Sequence, residues 1–400
     1  MKVLIAGASV AGPSLAFWLA RYGAEVTVLE QAAELRKGGQ LVDVRGSARG
    51  VLARAGLAET VAAACTASDG LSFVDSGGRR LATLSVADFG GDGPVTDTEI
   101  LRGRLSEIFH EETRDSAEYL FGDRIAGLAD GPGGVRVTFE KAAARTYDVV
   151  IGADGLHSGV RKLAFGPDAP PLRHLGAYLS FWTAENHLGL RDWTEAYSEP
   201  GRTMGMRTIH GNSAVMAFMS FTSAEFRYDY RELESLKAVL RARAAGMGWE
   251  CDRLIEQIDQ APDFYFDSCS QVRLPRWSVG NVGLVGDAAY CASPLSGHGT
   301  TIALVGAYVL AGELAKAGAD HQAGLAAYER TLKPWIDEIQ EFGAGNGKAM
   351  TPETALGVWL RNNVSRLRRF LPRGLFAGEI RMSNRFVLPD YSRYESAQTH

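Results

Sequence analysis

The stretch Lys2–Gly12, KVLIAGASVAG, decides the fold class of this chain. An apolar run of β character leads into a turn bounded by Gly7 and Gly12, and apolar residues then recur over 13–22 at the spacing of one helix face. This order predicts a strand, a tight turn and a helix. A second apolar run, Glu25–Glu30, predicts the next strand, so the chain opens as a doubly wound α/β unit.

The residue types in the turn predict that it binds a dinucleotide. Gly7 permits the turn and Gly12 lets the helix pack on the strand, while the N–H groups of the helix start, from Ala11 onward, face a pyrophosphate. Ser9 stands where a glycine usually lets the backbone approach the phosphates. Glu30 lies 18 residues after Gly12, close to the spacing at which a carboxylate accepts hydrogen bonds from the adenosine ribose. The alternative is an ordinary strand–helix–strand unit with a glycine turn.

Composition argues against several classes of protein. The 400 residues are 46 % hydrophobic and 22 % charged, which suits a folded chain of about two to three domains. The net charge of −5 gives no electrostatic reason to expect nucleic acid as a partner. The cysteines are widely spaced, with no CxxC pair and no metal-site cluster, so we expect no metal and a reduced, cytoplasmic protein; they are Cys65, Cys251, Cys269 and Cys291.

No segment predicts a secretion signal or a membrane span. The apolar run at the N-terminus is short and is accounted for by the first strand. The longest apolar candidate, residues 300–312, falls short of the roughly 18 residues that a span requires and predicts a buried helix. Residues 361–373 combine arginines with apolar side chains. We interpret them as a helix packed on its own domain, the alternative being a helix on an anionic membrane surface.

Two later segments repeat the combination of a strand, a glycine and an acidic residue. Tyr147–Ala153 predicts a buried strand, and Asp154 follows at its carboxyl end, where open α/β sheets place their ligands. Asn281–Gly286 predicts another strand, with Asp287 directly after it. A loop of proline and glycine and a mostly apolar helix over 301–314 come next.

In this order the three segments resemble the fingerprint of class A FAD-dependent aromatic monooxygenases, the para-hydroxybenzoate hydroxylase family. The resemblance implies that GADGLHSGVR at 152–161 lies between the flavin pyrophosphate and an incoming nicotinamide nucleotide. Asp154 would organise loop amides, and Arg161 would pair with phosphate. The alternative is that Asp154 only caps a helix starting near Leu156 and that Arg161 is a surface charge.

The third segment is implied to surround the isoalloxazine ring. Asp287 would bind the ribityl hydroxyls, and the helix start would stabilise the negative charge of the reduced flavin. His298 is a candidate ring-proximal residue, and backbone contact is the preferred interpretation over a catalytic base. The other loop residues implied to lie beside the flavin are Pro294, Gly297, Gly299 and Thr300.

The chain departs from the family pattern close to this ring site. Tyr290 stands where most members have histidine, and Thr301 and Gly306 stand where asparagine and aspartate are frequent. The backbone geometry of the segment is still plausible with these residues. The side-chain contacts of the family near the ring, however, do not carry over directly.

Two arginines outside the three segments are further cofactor candidates. GGQLVDVR at 38–45 resembles the loop and strand that cover the isoalloxazine, which places Arg45 near the flavin or the substrate entrance; the alternative is an exposed arginine. EILRGRL at 99–105 resembles a family pattern that selects Arg102 for flavin contact and leaves Arg104 in solvent. Only one dinucleotide fingerprint is visible, so NADPH or NADH is expected to dock transiently near Arg45 and Arg161.

Residues near 170–270 change character and predict a mostly antiparallel sheet with one face on a cavity. Apolar or alternating runs at 177–184, 203–209 and 213–221 supply its strands, and helices are expected over 232–243 and 250–260. Each apolar side chain there also suits a core position. The candidate substrate contacts are Trp182, Met206, Met216 and Phe218, with Met204 and Phe221 as further lining candidates.

The expected fold class is α/β. A discontinuous Rossmann-like FAD-binding domain of the GR2 type holds an inserted β-sheet substrate domain, and a C-terminal helical segment follows. The expected bounds are 1–65, 99–165 and 270–340 for the FAD-binding domain, 66–98 and 166–269 for the substrate domain, and 341–400 for the helical segment.

The resemblance implies an oxidoreductase that uses FAD, NADPH or NADH, and O₂. It would hydroxylate an aromatic or polyketide-like small molecule through a flavin hydroperoxide, with the aromatic substrate and O₂ as its partners. The expected assembly is a monomer or homodimer. The alternatives are a flavin reductase or dehydrogenase on an isoprenoid or other hydrophobic substrate, a flavin-dependent halogenase, and a non-catalytic FAD-binding protein.

Overall fold

The computed structural model describes residues 1–36, 38–89, 99–166, 169–367 and 384–396. The strands in chain order are β1 Lys2–Ala6, β2 Glu25–Glu30, β3 Leu41–Asp43, β4 Gly70–Val74, β5 Arg80–Ser85, β6 Glu99–Leu101, β7 Ala117–Phe121, β8 Ile125–Gly131, β9 Gly134–Phe139, β10 Arg145–Tyr147, β11 Val149–Gly152, β12 Arg173–Glu185, β13 Trp193–Glu199, β14 Arg202–Ile209, β15 Ala214–Thr222, β16 Tyr265–Gln271, β17 Ser278–Val279 and β18 Val282–Leu284. The helices are α1 Ala11–Arg21, α2 Ser47–Ala55, α3 Ala58–Ala63, α4 Arg102–Thr113, α5 Gly159–Phe165, α6 Leu233–Ala244, α7 Cys251–Glu256, α8 Asp287–Tyr290, α9 Gly299–Ala317, α10 His321–Met350 and α11 Ala355–Leu367.

A six-stranded sheet in the order β17-β18-β11-β1-β2-β7 carries the three glycine segments. The five strands from β18 to β7 run parallel, and β17 is antiparallel. In this register Ala6 lies opposite both Leu29 and Gly152. The carboxyl ends of β1, β2 and β11 therefore meet at one edge of the sheet, and the predicted doubly wound α/β fold is confirmed.

The second large sheet has seven strands in the order β16-β12-β15-β14-β13-β4-β5. Its neighbours are antiparallel except for β13 and β4. One face buries apolar side chains against α6 and α7, through Leu236, Leu240 and Leu254. On the opposite face Ala177 and Leu179 pack with Leu295 of the third glycine segment. That second face is therefore the one turned toward the nucleotide-binding sheet.

Long helices complete the molecule. The interior helix α9 is buried along most of its length and packs against α1, α2 and α10. Among the described residues it is the one helix with the length and composition of a membrane span, and 83 % of its apolar window is buried, as in a core helix. The helix α11 packs on β5 and β13, with the Arg361 guanidinium 3.9 Å from the centre of the Phe73 ring. Part of the helix expected over 361–373 lies outside the described residues.

Candidate functional site

In the turn after β1, the backbone of Gly7 lies directly against the backbone of Ala153 and of Gly12. Gly7 has a φ of +111°, and a Cβ placed on it would lie 2.5 Å from the carbonyl oxygen of Ala153. A Cβ on Gly12 would overlap with the Gly7 carbonyl oxygen. The start of α1 has no side-chain cap, so its first N–H groups stay available to an anion. This is the geometry predicted for a pyrophosphate cradle.

Ser9 and Arg102, both predicted as cofactor contacts, are brought together. The Nε of Arg102 donates a hydrogen bond of 2.8 Å to the Ser9 hydroxyl. Arg102 is the first residue of α4 and follows β6 directly. The side chain that replaces the usual glycine therefore holds a guanidinium beside the cradle, where a pyrophosphate would meet a positive charge.

Glu30 stands at the end of β2, beside the same turn. Its carboxylate accepts hydrogen bonds of 2.9 Å from the backbone N–H of Ala8 and of 2.9 Å from that of Ala32. The carboxylate thus orients the turn, and it lies at the carboxyl edge of the sheet where the ribose of a dinucleotide is expected.

The second segment is organised by Asp154. Its Oδ2 accepts from the backbone N–H of Gly159 at 2.7 Å and of Val160 at 3.1 Å, and its Oδ1 accepts from the Ser158 hydroxyl. These bonds satisfy the first N–H groups of α5, which begins at Gly159, later than the start expected near Leu156. Both the predicted ordering of loop amides and the alternative of helix capping describe this arrangement.

Arg161 requires a correction. Its guanidinium is buried and donates to the carbonyl oxygens of Ala288 at 2.8 Å and Leu156 at 2.6 Å. It is therefore not a surface charge, and its bond to Ala288 ties the second segment to the third. Burial lowers the pKa of this arginine. The expected docking of NADPH or NADH at Arg161 has no support in this geometry.

The third segment carries exposed positions beside protein that surrounds them. Asp287, Pro294 and Gly299 are exposed to solvent. Burial by the surrounding protein nevertheless raises the pKa of Asp287, and the positive charge of the nearby Arg102 opposes this rise. A side chain that is exposed and also surrounded by protein faces an internal cleft. The start of α9 opens into it without a side-chain cap, so N–H groups and the positive end of the helix dipole are available there. Gly297 and Thr300 lie in the same loop and first turn.

His298 is not placed to act as a base. The side chain is fully buried, its Nδ1 is bonded to the Ser296 carbonyl, and its ring lies edge-on to Phe342 with centroids 5.9 Å apart. The ring therefore packs into the protein, against Phe342. Contact of the His298 backbone with the flavin stays a prediction.

Two of the residues that depart from the family pattern, Tyr290 and Gly306, lie against each other. Tyr290 is buried and accepts a hydrogen bond of 2.9 Å from the Tyr328 hydroxyl, and burial raises its pKa to about 12. A Cβ on Gly306 would overlap with the Tyr290 hydroxyl. The glycine therefore makes the space that the tyrosine fills. Thr301 donates to the Arg45 carbonyl at 3.4 Å, which joins α9 to the segment after β3.

Arg45 belongs to an interior group of charges. Its side chain is 4 % exposed and donates to Asp43 at 2.8 Å, so the alternative of an exposed arginine is wrong, and docking of NADPH or NADH on this guanidinium has no support. Close by, Arg207 of β14 forms an ion pair with Glu99 of β6. Sequence reasoning missed both Arg207 and Glu99, although a single arginine inside the apolar run 203–209 is a signal that could have drawn attention to it.

The predicted substrate contacts divide between the two faces of the seven-stranded sheet. Trp182 and Met206 lie on the face packed against α6 and α7, where the Trp182 indole N–H donates to the Leu254 carbonyl at 3.1 Å. These two predictions are wrong, and Met204 and Phe221 share their face. Met216 and Phe218 have the other parity and lie on the face that carries Ala177 and Leu179, and their contact with substrate stays a prediction.

A groove beside the second segment was also missed. It has a volume of about 730 Å³ and lies between His157 and the loop 225–230. The His157 ring stacks on Tyr230 with centroids 4.5 Å apart, and its Nε2 lies 3.1 Å from the carboxylate of Asp267, which also accepts from the Tyr228 hydroxyl. His157 was visible within the quoted motif, but its partners come from distant segments.

Three comparisons bear on the site. Residues 1–342 match the family described as the FAD binding domain. The chain is 44 % identical to an uncharacterized protein of Mycobacterium tuberculosis, over 88 % of this chain and 95 % of the relative. It is 36 % identical to a flavin-dependent monooxygenase of Legionella longbeachae, over 86 % and 88 %. The crystal structure of the tetracycline destructase Tet(55) superposes with a TM-score of 0.84 at 34 % identity, covering 98 % of each chain.

Proposed function

This chain belongs to the FAD binding domain family and is a flavin-dependent monooxygenase, and we propose that it oxygenates a polycyclic aromatic compound of the polyketide type. Its cofactor is FAD, its co-substrates are NADPH or NADH and O₂, and its substrate is a small aromatic molecule. The observation that carries the proposal is that Asp287 is solvent-exposed although burial by the surrounding protein raises its pKa, beside the exposed Pro294 and Gly299.

The residues at the carboxyl edge of the six-stranded sheet fit FAD. The glycine turn leaves no room for a Cβ, and the starts of α1 and α9 offer uncapped N–H groups. When bound, FAD supplies hydride acceptance from the nicotinamide and activation of O₂ for transfer of one oxygen atom.

We assign the cofactor contacts along this edge. The amides of α1 and the guanidinium of Arg102 bind the pyrophosphate, and Glu30 meets the adenosine ribose. Asp287 binds the ribityl hydroxyls. Gly299 and Thr300, at the positive end of α9, stabilise negative charge at the pyrimidine edge of the ring.

The substrate assignment is supported by the face of the seven-stranded sheet that carries Met216 and Phe218. Apolar and aromatic side chains there suit a flat ring system. Tet(55) is named a tetracycline destructase, and tetracycline is a polycyclic compound of the proposed class.

We propose the same division of the chain as above, with residues 1–65, 99–165 and 270–340 in the FAD-binding domain and 66–98 and 166–269 in the substrate domain. We further propose a cytoplasmic enzyme that works as a monomer or homodimer. The free cysteines among the described residues suit a reducing compartment.

The test is a panel of phenols, polyketides and tetracyclines, scored for substrate-stimulated oxidation of NADPH. We expect a polycyclic compound to stimulate oxidation and to gain one labelled oxygen atom when the reaction is run under isotope-labelled O₂. NADPH oxidation with an altered product that contains no label would instead establish a reductase and overturn the proposal.

The variant Asp287→Ala tests the cofactor assignment. Removing the carboxylate should weaken FAD binding by about 10- to 100-fold, the range for a lost charge-assisted hydrogen bond. Asp287→Asn, which keeps an acceptor oxygen, should lose less. FAD titration of the apoprotein measures both, and unchanged affinity in Asp287→Ala would remove this residue from the site.

A further inference from the structure

The helix α11, Ala355–Leu367, turns apolar side chains to solvent and polar side chains to the protein. Its four exposed apolar residues follow the spacing of one helix face and are between 39 % and 71 % exposed. We call them the apolar stripe, and they are Leu356, Trp359, Leu360 and Val364. A helix on the surface of a folded domain normally shows the opposite arrangement, with its apolar face on the core.

Polar contacts hold α11 in this orientation. On the face opposite the stripe, Asn362 is buried and the Arg361 guanidinium lies over the Phe73 ring. Arg361 donates to the Ser198 hydroxyl at 2.9 Å and to the Met350 carbonyl at 3.3 Å. These contacts fix the helix to the seven-stranded sheet by its polar side. The apolar stripe therefore points away from that sheet.

The charge of this part of the chain has one sign. The whole chain carries a net charge of −5, yet residues 354–378 contain arginines and neither aspartate nor glutamate. The five arginines of this stretch are at positions 361, 366, 368, 369 and 373. Within α11, Arg366 is exposed, and the arginines after it lie outside the described residues. The apolar stripe is thus accompanied by positive charge without a local counterion in the sequence.

An anionic lipid surface matches both properties of α11. Apolar side chains, tryptophan above all, enter the boundary between headgroups and acyl chains, and arginines meet the anionic headgroups. A second copy of the chain matches them less well, because pairing two such helices would bring positive charges together.

We propose that α11 docks the enzyme on an anionic lipid bilayer, with the apolar stripe in the interface and Arg366 at the headgroups. The helix then packs on its own domain by one face and on the membrane by the other, so both interpretations of the sequence apply to it. The proposal concerns binding to a surface and does not depend on the substrate assigned above.

The experiment measures co-sedimentation of the full-length, FAD-loaded enzyme with lipid vesicles. One set of vesicles contains phosphatidylcholine alone, and the other contains equal parts of phosphatidylcholine and phosphatidylglycerol. We expect binding to the anionic vesicles, weakened by added salt, and little binding to phosphatidylcholine alone. Absence of binding to the anionic vesicles, or equal binding to both sets, would overturn the proposal.

Substitutions on α11 test which residues make the contact. Trp359→Ser should weaken binding to the anionic vesicles by about 10- to 100-fold, the range for one buried apolar side chain. Arg366→Gln should weaken it by about fivefold, the range for one positive charge near an anionic surface. Both side chains are exposed, so the melting temperature should change little.

The matched control is Leu233→Ser, at an exposed leucine that begins α6. It removes an apolar side chain from a different surface, so it should bind vesicles as the wild type does. Equal losses in Leu233→Ser and Trp359→Ser would contradict a specific role of the stripe, as would unchanged binding in Trp359→Ser.

The oligomeric state distinguishes a membrane from a second copy of the chain. Analytical ultracentrifugation without vesicles should give the wild type and Trp359→Ser the same molecular mass. A dimeric wild type that becomes monomeric in Trp359→Ser would show that the stripe binds another copy of the chain, and that result would replace the bilayer as its partner.

Discussion

The cofactor end and the proposed substrate end of the site are formed by different parts of the chain, one by backbone groups and the other by side chains. The cofactor end is made of backbone: glycines that leave no room for a Cβ, and helix starts with uncapped N–H groups. The proposed substrate end is made of side chains on one face of a sheet, among them Met216 and Phe218. A backbone site tolerates almost no change, whereas a side-chain site can be altered one residue at a time. The comparison accounts for a family that keeps one cofactor while its substrates vary.

The largest expected effect is at the backbone end, in Gly12→Val. The new side chain would overlap with the Gly7 carbonyl oxygen, so the turn must open, at a cost of about 3 kcal/mol or more in the free energy of unfolding. FAD should be lost from the purified protein. Denaturant unfolding and flavin absorbance measure the two effects. Gly133→Ala, where a Cβ meets open space, is the matched control, and equal behaviour of the two variants would contradict the role of the turn.

Gly306→Ala tests the coupling of the family departures. The added methyl meets the Tyr290 hydroxyl in a fully packed region, and we expect a loss of about 2 kcal/mol in unfolding free energy.

The control for Gly306→Ala is the double variant with Tyr290→Phe. Removing the hydroxyl makes room for the methyl, so the double variant should be more stable than the sum of the two single variants predicts. Strict additivity in denaturant unfolding would show that the glycine and the tyrosine are independent.

Conservative substitutions on the two faces of the seven-stranded sheet should differ in their effects on stability and on KM. Trp182→Phe loses the bond to the Leu254 carbonyl and should cost about 1–2 kcal/mol of stability, with an unchanged KM. Met216→Leu conserves volume and should cost under about 1.5 kcal/mol, with a changed KM. Steady-state kinetics with the best substrate of the panel, alongside thermal melts, distinguishes the faces. A changed KM in Trp182→Phe alone would reverse the assignment.

The same contrast explains what the sequence could predict. The bounds of β1 and β2 agree with the predicted strands, and Glu30 and Ser9 stand beside the predicted glycine turn, because strand, turn and helix are contiguous in the chain. Alternation also predicted the strands of the second sheet. It could not say which parity faces the cleft, because that depends on the register with α6 and α7, and so Trp182 was assigned to the wrong face.

Contacts between residues far apart in the sequence could not be predicted, for a physical reason. Glu99 and Arg207 are 108 positions apart, and Arg161 meets a carbonyl 127 positions away. Nothing in the local pattern of either segment encodes such a partner. Charge inside an apolar run is the signal that does survive in the sequence, as at Arg207, which pairs with Glu99.

The smallest expected effect is at Ser9, where a single side chain enters the backbone end. Ser9→Ala removes the acceptor that holds Arg102 at 2.8 Å, and a typical hydrogen bond contributes about 1 kcal/mol. We therefore expect FAD to bind about fivefold more weakly, with little change in the melting temperature of the apoprotein. Ser9→Gly restores the usual residue of the turn and should behave like Ser9→Ala, because both lack the hydroxyl, whereas Ser9→Thr keeps it. If Ser9→Gly binds FAD as tightly as the wild type, Arg102 needs no side chain to position it, and the cofactor end is built from backbone alone.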